Sequence, residues 1–303
     1  MKTFEMLLRE GSALLGAAEI EEARLDAWLL LEYVTGRNRA WYFAHADEEA
    51  GADEEQRYLE LIRQRARHVP LQHLTHSACF MGYDFYVDGR VLVPRQDTEV
   101  LVEEALALLK EVRGPQVLDM CTGSGCILLS ILKERSDAFG VGADISRDAL
   151  AVAKRNAELL NVEKQAVLVE SDTFSGEFFR ENGGKQPQKY DMLISNPPYI
   201  PAADIRGLMD EVRLFDPALA LDGGSDGLTF YRRITAQAPE YLTPNGWLLY
   251  EIGCDQGAAV KALMEQAGFC RVQVIKDLAG LDRVVKGQLG RPAAQEFQEE
   301  EHV

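Results

Sequence analysis

The tetrapeptide Asn196-Pro197-Pro198-Tyr199 carries the most specific chemistry in this sequence of 303 residues. Its two successive prolines lack N–H groups and hold the chain extended, so carbonyls here are barred from a regular strand ladder and left free to accept from a ligand. A planar NH2 group suits that arrangement. The Asn196 side-chain oxygen would accept one N–H and the Pro197 carbonyl the other, Pro198 would extend the binding segment, and Tyr199 would cover the planar face.

A second constellation lies at the ends of three predicted strands. The first strand runs into Asp119-Met120-Cys121-Thr122-Gly123-Ser124-Gly125, in which Gly123 and Gly125 let the backbone turn sharply and approach a ligand. The helix that follows would aim its N-terminus at a ligand carboxylate, with Asp119 available for an ammonium group. Leu128 stands where the third glycine of a dinucleotide fingerprint belongs, and no Gly-Lys-Ser/Thr of a phosphate loop follows. The second strand ends at Asp144, suited to both hydroxyls of a ribose. The third ends at Ser171-Asp172-Thr173-Phe174, with a carboxylate for an adenine amino group and an aromatic or hydroxyl wall beside the ring. In register, the three ends describe an adenosine with a zwitterionic tail, which is S-adenosylmethionine. The reaction expected is methyl transfer to the bound nitrogen, leaving S-adenosylhomocysteine. An amide nitrogen is a poor nucleophile, so acceptors that strengthen as positive charge develops on it act mainly in the transition state. Alignment of nitrogen, methyl and sulfonium supplies the rest, without a strong base.

These ends must be held by a sheet. Residues 3 to about 68 show apolar positions at three- and four-residue spacing, which predicts a small helical bundle with Gly36 as a stop and a last helix at Asp53–Arg67. Between Cys79 and Val93 the β-favouring residues and Asp88-Gly89 predict a β-hairpin. Helix and strand then alternate: helices at Thr98–Val112, Cys126–Arg135, Asp148–Leu160, Leu228–Tyr241 and Gln256–Ala267, and strands at Gln116–Met120, Gly140–Asp144, Ala166–Glu170, Met192–Ser195, Trp247–Ile252, Arg271–Ile275 and Arg283–Lys286. The fold class is therefore α/β, a mostly parallel sheet covered on both faces. Gly183–Gln188 reads as a surface loop. The boundaries expected are 1–75 for the helical domain, 76–93 for the hairpin linker, 94–290 for the catalytic domain and 291–303 for an acidic, disordered tail.

Composition narrows the partners. The balance of 32 basic against 49 acidic side chains, net −17, repels phosphate backbones, so no direct nucleic-acid binding is expected. No basic leader or bilayer-length apolar run is present, which predicts a cytoplasmic location without membrane contact. The five cysteines contain no C-x-x-C pair, and His45, His68, His73 and His76 lack metal spacing, so neither disulfides nor a metal is expected.

With these residues in hand, the chain resembles the release factor glutamine methyltransferase family, also called HemK-like protein methyltransferases. The resemblance rests on Val93-Pro94-Arg95-Gln96-Asp97-Thr98-Glu99, the Gly123/Gly125 loop, Asn196 to Tyr199, Asp216-Pro217-Ala218-Leu219-Ala220-Leu221-Asp222-Gly223-Gly224 and Glu251-Ile252-Gly253. It implies a helical N-terminal domain that docks substrate, a hairpin and a Rossmann-like, seven-stranded methyltransferase domain. It implies S-adenosylmethionine as cofactor, held by Cys121, Thr122, Gly123, Ser124, Gly125, Asp144, Thr173 and Asn196. The substrate implied is the glutamine of the Gly-Gly-Gln loop in class I peptide-chain release factors, methylated on N5 and bound by Asn196 to Tyr199. The family often carries glycine in place of Cys121 and an aromatic in place of Thr173. Arg95 and Glu99 are expected near the site mouth. The tetrapeptide alone is shared with DNA adenine and cytosine amino-methyltransferases, and a catalytically silent S-adenosylmethionine-binding subunit is the remaining alternative.

Overall fold

The computed structural model describes residues 1–180 and 188–290. The tail 291–303 and the loop expected at Gly183–Gln188, apart from Gln188, lie outside the described residues. In chain order the helices are α1 (Phe4–Ala17), α2 (Ala23–Thr35), α3 (Arg39–His45), α4 (Ala52–Arg65), α5 (Leu71–Thr75), α6 (Glu99–Leu109), α7 (Cys126–Glu134), α8 (Arg147–Leu160), α9 (Glu177–Arg180), α10 (Asp210–Phe215), α11 (Ala218–Leu221), α12 (Thr229–Tyr241) and α13 (Gly257–Gln266). The strands are β1 (Ala78–Phe80), β2 (Tyr83–Phe85), β3 (Gln116–Met120), β4 (Phe139–Asp144), β5 (Ala166–Glu170), β6 (Tyr190–Ser195), β7 (Leu242–Glu251), β8 (Phe269–Lys276) and β9 (Asp282–Leu289). Two compact units result: Met1–Ala78 with Tyr86–Val93 and Arg206–Pro217, and Cys79–Phe85 with Pro94–Ile205 and the chain from Ala218 onward.

The first unit is helical. Thr3 caps α1 by accepting from the Met6 N–H, and Gly36 ends α2 at φ 68°, the stop its position predicts. Gly11 lets α1 lie against α4, because a Cβ there would stand 2.1 Å from the Tyr58 hydroxyl. The core gathers Phe4, Leu7, Leu30, Tyr42, Tyr58 and Ile62. Arg65 adds a buried charge cluster, donating to Asp26 at 2.6 Å and to Glu211 at 2.6 Å, and so ties the 206–217 segment to the bundle. No sequence signal linked these distant positions.

The hairpin turns at a different place from the one predicted. Met81 and Gly82, at φ 52° and 76°, form the two-residue turn between β1 and β2. Asp88-Gly89 instead makes a local loop, in which the Asp88 carboxylate accepts the Arg90 backbone N–H at 3.1 Å and its guanidinium at 2.9 Å.

The second unit is built on a seven-stranded sheet in the order β5-β4-β3-β6-β7-β9-β8. Pairing is parallel from β5 to β7 and antiparallel where β9 joins β7 and β8. Alternate residues feed the two faces: Val117, Ile194 and Leu249 pack with α6 and α7, whereas Leu118, Leu193 and Leu248 pack with α12 and α13. The connections reverse direction between β3 and β6, so a crevice opens beyond their carboxyl ends. Among the described residues no helix is long and apolar enough to cross a membrane.

Breaking the buried pair by Arg65→Ala is expected to cost about 3–5 kcal/mol, and Glu211→Gln, at the more exposed partner, less than about 1 kcal/mol. Denaturant titration of the two full-length variants checks this, and equal losses would contradict it.

Candidate active site

The loop after β3 is built from alternating left-handed residues. Cys121, Gly123 and Gly125 have φ of 63°, 55° and 81°, which swings the chain from the strand into α7. A side chain in that conformation costs roughly 1–2 kcal/mol, and Cys121 bears this strain where glycine would not. A Cβ on Gly123 would meet nothing within 4 Å, so the loop leaves open space for a ligand at that point. A Cβ on Gly125 would meet the Leu129 side chain at 2.8 Å, so this glycine allows close packing onto α7 and α8. The Asn156 amide donates to the Ser124 carbonyl at 2.9 Å and holds the loop from beneath.

Asp119 lies under the loop, fully buried, rather than in the crevice. Its carboxylate accepts from the Thr122 hydroxyl at 2.6 Å and lies against the Leu128 N–H in the first turn of α7. Its Oδ1 has no hydrogen-bond partner. Burial raises its pKa to about 7, against the pull of the Thr122 and Leu128 donors.

Asp144, half-buried at the end of β4, accepts the Gly123 N–H at 2.8 Å and the Ser146 N–H at 2.9 Å. The same carboxylate that would take ribose hydroxyls thus also fixes the glycine loop, and burial raises its pKa. After β5, Arg233 donates to Asp172 at 2.8 Å and to Thr173 at 3.1 Å. Phe174 stacks on Tyr241 at 4.3 Å within the core and offers no wall to the crevice. The exposed apolar surface on this side is Ile145, next to Asp144 and 52% exposed. Sequence reasoning missed both Arg233 and Ile145, for neither belongs to a motif.

The tetrapeptide Asn196–Tyr199 leaves the neighbouring strand. Met120 of β3 is paired with Ser195 of β6, and the Ser195 hydroxyl donates to the Met120 carbonyl at 2.5 Å. Cys121 and Asn196 therefore depart side by side. Asn196 and Tyr199 are half-buried, and Pro197 and Pro198 are buried. The Tyr199 carbonyl accepts from the Gln256 amide at 2.9 Å. Burial pushes the Tyr199 phenol up to about 12, with Glu251, Arg283, Arg95 and Asp97 around it. Arg95 thus lies close enough to Tyr199 to act on its phenol electrostatically. Glu99 instead accepts the Met81 N–H at 2.7 Å and braces the hairpin turn. Among the described residues no group of three or more His, Cys, Asp or Glu side chains could hold a metal ion.

Comparison with known proteins follows the same lines. A family model described as PrmC N-terminal domain matches residues 6–75, and one described as Methyltransferase small domain matches residues 96–212. A release factor glutamine methyltransferase of Geobacter sulfurreducens is 41% identical over 271 residues, 89% of this chain and 91% of that protein. One of Clostridium acetobutylicum is 39% identical over 260 residues, 86% of this chain and 89% of that protein. The chain belongs to the release factor glutamine methyltransferase family. The solved hMettl16 catalytic domain, in complex with MAT2A 3'UTR hairpin 6, shares the fold at 15% identity and a TM-score of 0.55, covering 76% of this chain and 81% of its own.

In this member of the release factor glutamine methyltransferase family, the segment Asp222 to Gly227 supports the tetrapeptide from behind. Ile200 and Gly223 exchange backbone hydrogen bonds with this region, Ile200 N–H to Leu221 at 3.1 Å and Gly223 N–H to Ile200 at 2.9 Å. A Cβ on Gly223 would stand 2.7 Å from the Tyr199 Cα, and one on Gly227 2.3 Å from the Tyr199 carbonyl oxygen. The glycines are there because Tyr199 backbone occupies the space. Gly223→Ala is expected to lower methyl-transfer turnover at least about tenfold by displacing the Asn196–Tyr199 segment, with a smaller change in cofactor affinity. Calorimetry beside turnover measurement separates the two, and unchanged turnover would contradict the support role.

Asp119 yields a second expectation. Its folded pKa of about 7 lies above the ordinary carboxylate value, so the folded chain holds the proton more tightly than the unfolded one. Its contribution to stability is full below about pH 4 and is lost as pH rises through about 7. Asp119→Asn should therefore reduce the fall in stability between those values, as read from denaturant midpoints. An unaltered slope would show that Asp119 does not titrate there.

Proposed function

We infer that this chain transfers a methyl group from S-adenosylmethionine to the N5 amide nitrogen of the glutamine in the Gly-Gly-Gln loop of class I peptide-chain release factors. The observation that carries the reading is the Met120–Ser195 pairing, which brings Cys121–Gly125 and Asn196–Tyr199 to adjacent strand ends in a member of this family. The residues suit the cofactor: open space at Gly123, two further lone-pair sites on Asp144 and the apolar Ile145 surface. Cys121 to Gly125, Asp144, Asp172, Thr173 and Asn196 would hold it, with Asp119 shaping the loop from below. When bound, it supplies an electrophilic methyl group on a sulfonium.

The chain's own residues do the remainder. The Asn196 oxygen and the Pro197 carbonyl accept the two N–H bonds of the glutamine amide and orient its lone pair. Both interactions strengthen as the nitrogen becomes positive, so they lower the barrier instead of merely tightening the ground state. Pro197 and Pro198 keep the segment extended, and the Tyr199 ring, neutral throughout, covers the amide and excludes water. The product's extra proton leaves to water, and no metal takes part. Residues 1–75 serve as the release-factor docking domain, residues 76–93 as linker and residues 94–290 as catalytic domain. This substrate sets the enzyme's place in the cytoplasm.

The test offers labelled S-adenosylmethionine with a purified release factor, its loop Gln→Ala variant or duplex DNA. Label on the release factor alone, lost in the Gln→Ala variant, is the expected outcome. Label on DNA alone would overturn it in favour of an amino-methyltransferase of nucleic acid, and cofactor binding without any transfer in favour of a silent subunit. Asn196→Ala is expected to lose roughly 100-fold or more in turnover.

A further inference from the structure

Glu251 is an acid that the site described so far does not use. The β6–β7 register sets Ser195 opposite Tyr250, so Asn196 and Glu251 follow as neighbours at the two strand ends. Each lies two residues beyond a member of the α6/α7-side core, Ile194 and Leu249, and therefore faces that same side. Glu251 is 3% exposed, and its Oε2 has no hydrogen-bond partner. The Asn196 side-chain amide favours the ionised form of the carboxylate beside it.

Other groups surround Glu251 as well, and Thr98 and Arg283 act on the carboxylate more strongly than Asn196 does. Asp97 and Thr98 face it from the turn before α6, Arg283 from β9, Cys126 from α7, and Tyr199 from beyond Asn196. Tyr231 of α12 donates to the Glu251 backbone carbonyl at 2.8 Å, not to its side chain. Arg283 is shared between Asp277 at 3.0 Å and Asp97 at 3.2 Å. An ionised carboxylate only accepts, whereas an amide has a donor end and an acceptor end. Next to Glu251, Asn196 must present its NH2 inward.

We propose that Glu251 is a positioning residue, whose carboxylate takes an N–H of Asn196 and so locks the amide with its oxygen turned toward the substrate nitrogen. This rests on the methyl-acceptor role proposed above for Asn196. It also accounts for a buried acid with an unsatisfied oxygen, a costly feature that folding alone does not favour. Burial raises the Glu251 pKa to about 7, with Thr98, Arg283 and Asn196 opposing. Below that pH the protonated acid becomes a donor, can bind the Asn196 oxygen, and releases the lock.

The experiment follows release-factor methylation by the full chain and by Glu251→Gln between about pH 5.5 and 9, together with calorimetric cofactor affinity and the 1H–15N signals of the Asn196 side chain. In the wild type kcat should fall and KM for the release factor should rise as pH drops through about 7, and the Asn196 signals should titrate with the same midpoint. Glu251→Gln should lower kcat roughly 10- to 100-fold on the alkaline side, flatten the profile, abolish the titration of the Asn196 signals and change cofactor affinity far less than kcat, because Asn196 is one of several residues proposed to hold the cofactor. Wild-type turnover and profile in the variant, or Asn196 signals that do not titrate in the wild type, would overturn the proposal. If Glu251→Gln does not fold, the wild-type signals decide alone. Asn196 signals that titrate in an enzyme that leaves the release factor unmethylated would retain the positioning role and reject the substrate reading.

Discussion

Parallel pairing of β3 with β6 places Met120 beside Ser195, and each part of the proposed site takes its position from that pair. The strand connections diverge on either side of it, so the loops leaving the two carboxyl ends have space to form a crevice. One strand delivers Cys121 to Gly125, the other Asn196 to Tyr199, and the Ser195 hydroxyl on the Met120 carbonyl fixes their separation. Methyl transfer needs donor and acceptor in line within contact distance, and adjacent strands of a rigid sheet supply that alignment without a moving part.

The two sides of the crevice are stiffened by different means. On the cofactor side, backbone and side-chain hydrogen bonds from Asp119, Asp144 and Asn156 hold a loop of left-handed residues. On the acceptor side, missing side chains do the work: Gly223 and Gly227 admit the Tyr199 backbone, and Gln256 binds its carbonyl. Two carboxylates, Asp119 and Glu251, are buried with raised pKa values. Both lie directly beneath residues proposed to touch ligand, where stability gives way to preorganisation.

The sequence was legible where a residue's type constrains its local geometry. Gly36 ends α2, and the strands from Gln116 to Ser195 fall within about two residues of their predicted bounds, as expected of buried apolar runs. The two prolines after Asn196 set that segment apart because no other pair in the chain removes consecutive donors. Where roles depend on distant neighbours, the sequence was silent or misleading. Asp88-Gly89 has strong turn chemistry, but Arg90 captures the Asp88 carboxylate, and the hairpin turns at Met81-Gly82. For Asp119 the sequence did not show its burial beneath the loop or the hydrogen bond from Thr122. Phe174 belonged to the core, and Arg65 gathered Asp26 and Glu211 from far along the chain.

The central claim is that two acceptors, Asn196 and Pro197, recognise a substrate by the N–H bonds of a primary amide. The most direct test measures affinity of the enzyme, loaded with S-adenosylhomocysteine, for a release factor and for the same factor with its loop glutamine changed to glutamate. Glutamate keeps the shape but removes both donors and adds a charge facing two acceptors. The account expects at least about 100-fold weaker binding, from two lost hydrogen bonds of roughly 1.5 kcal/mol each. Equal affinity for the two factors would contradict it.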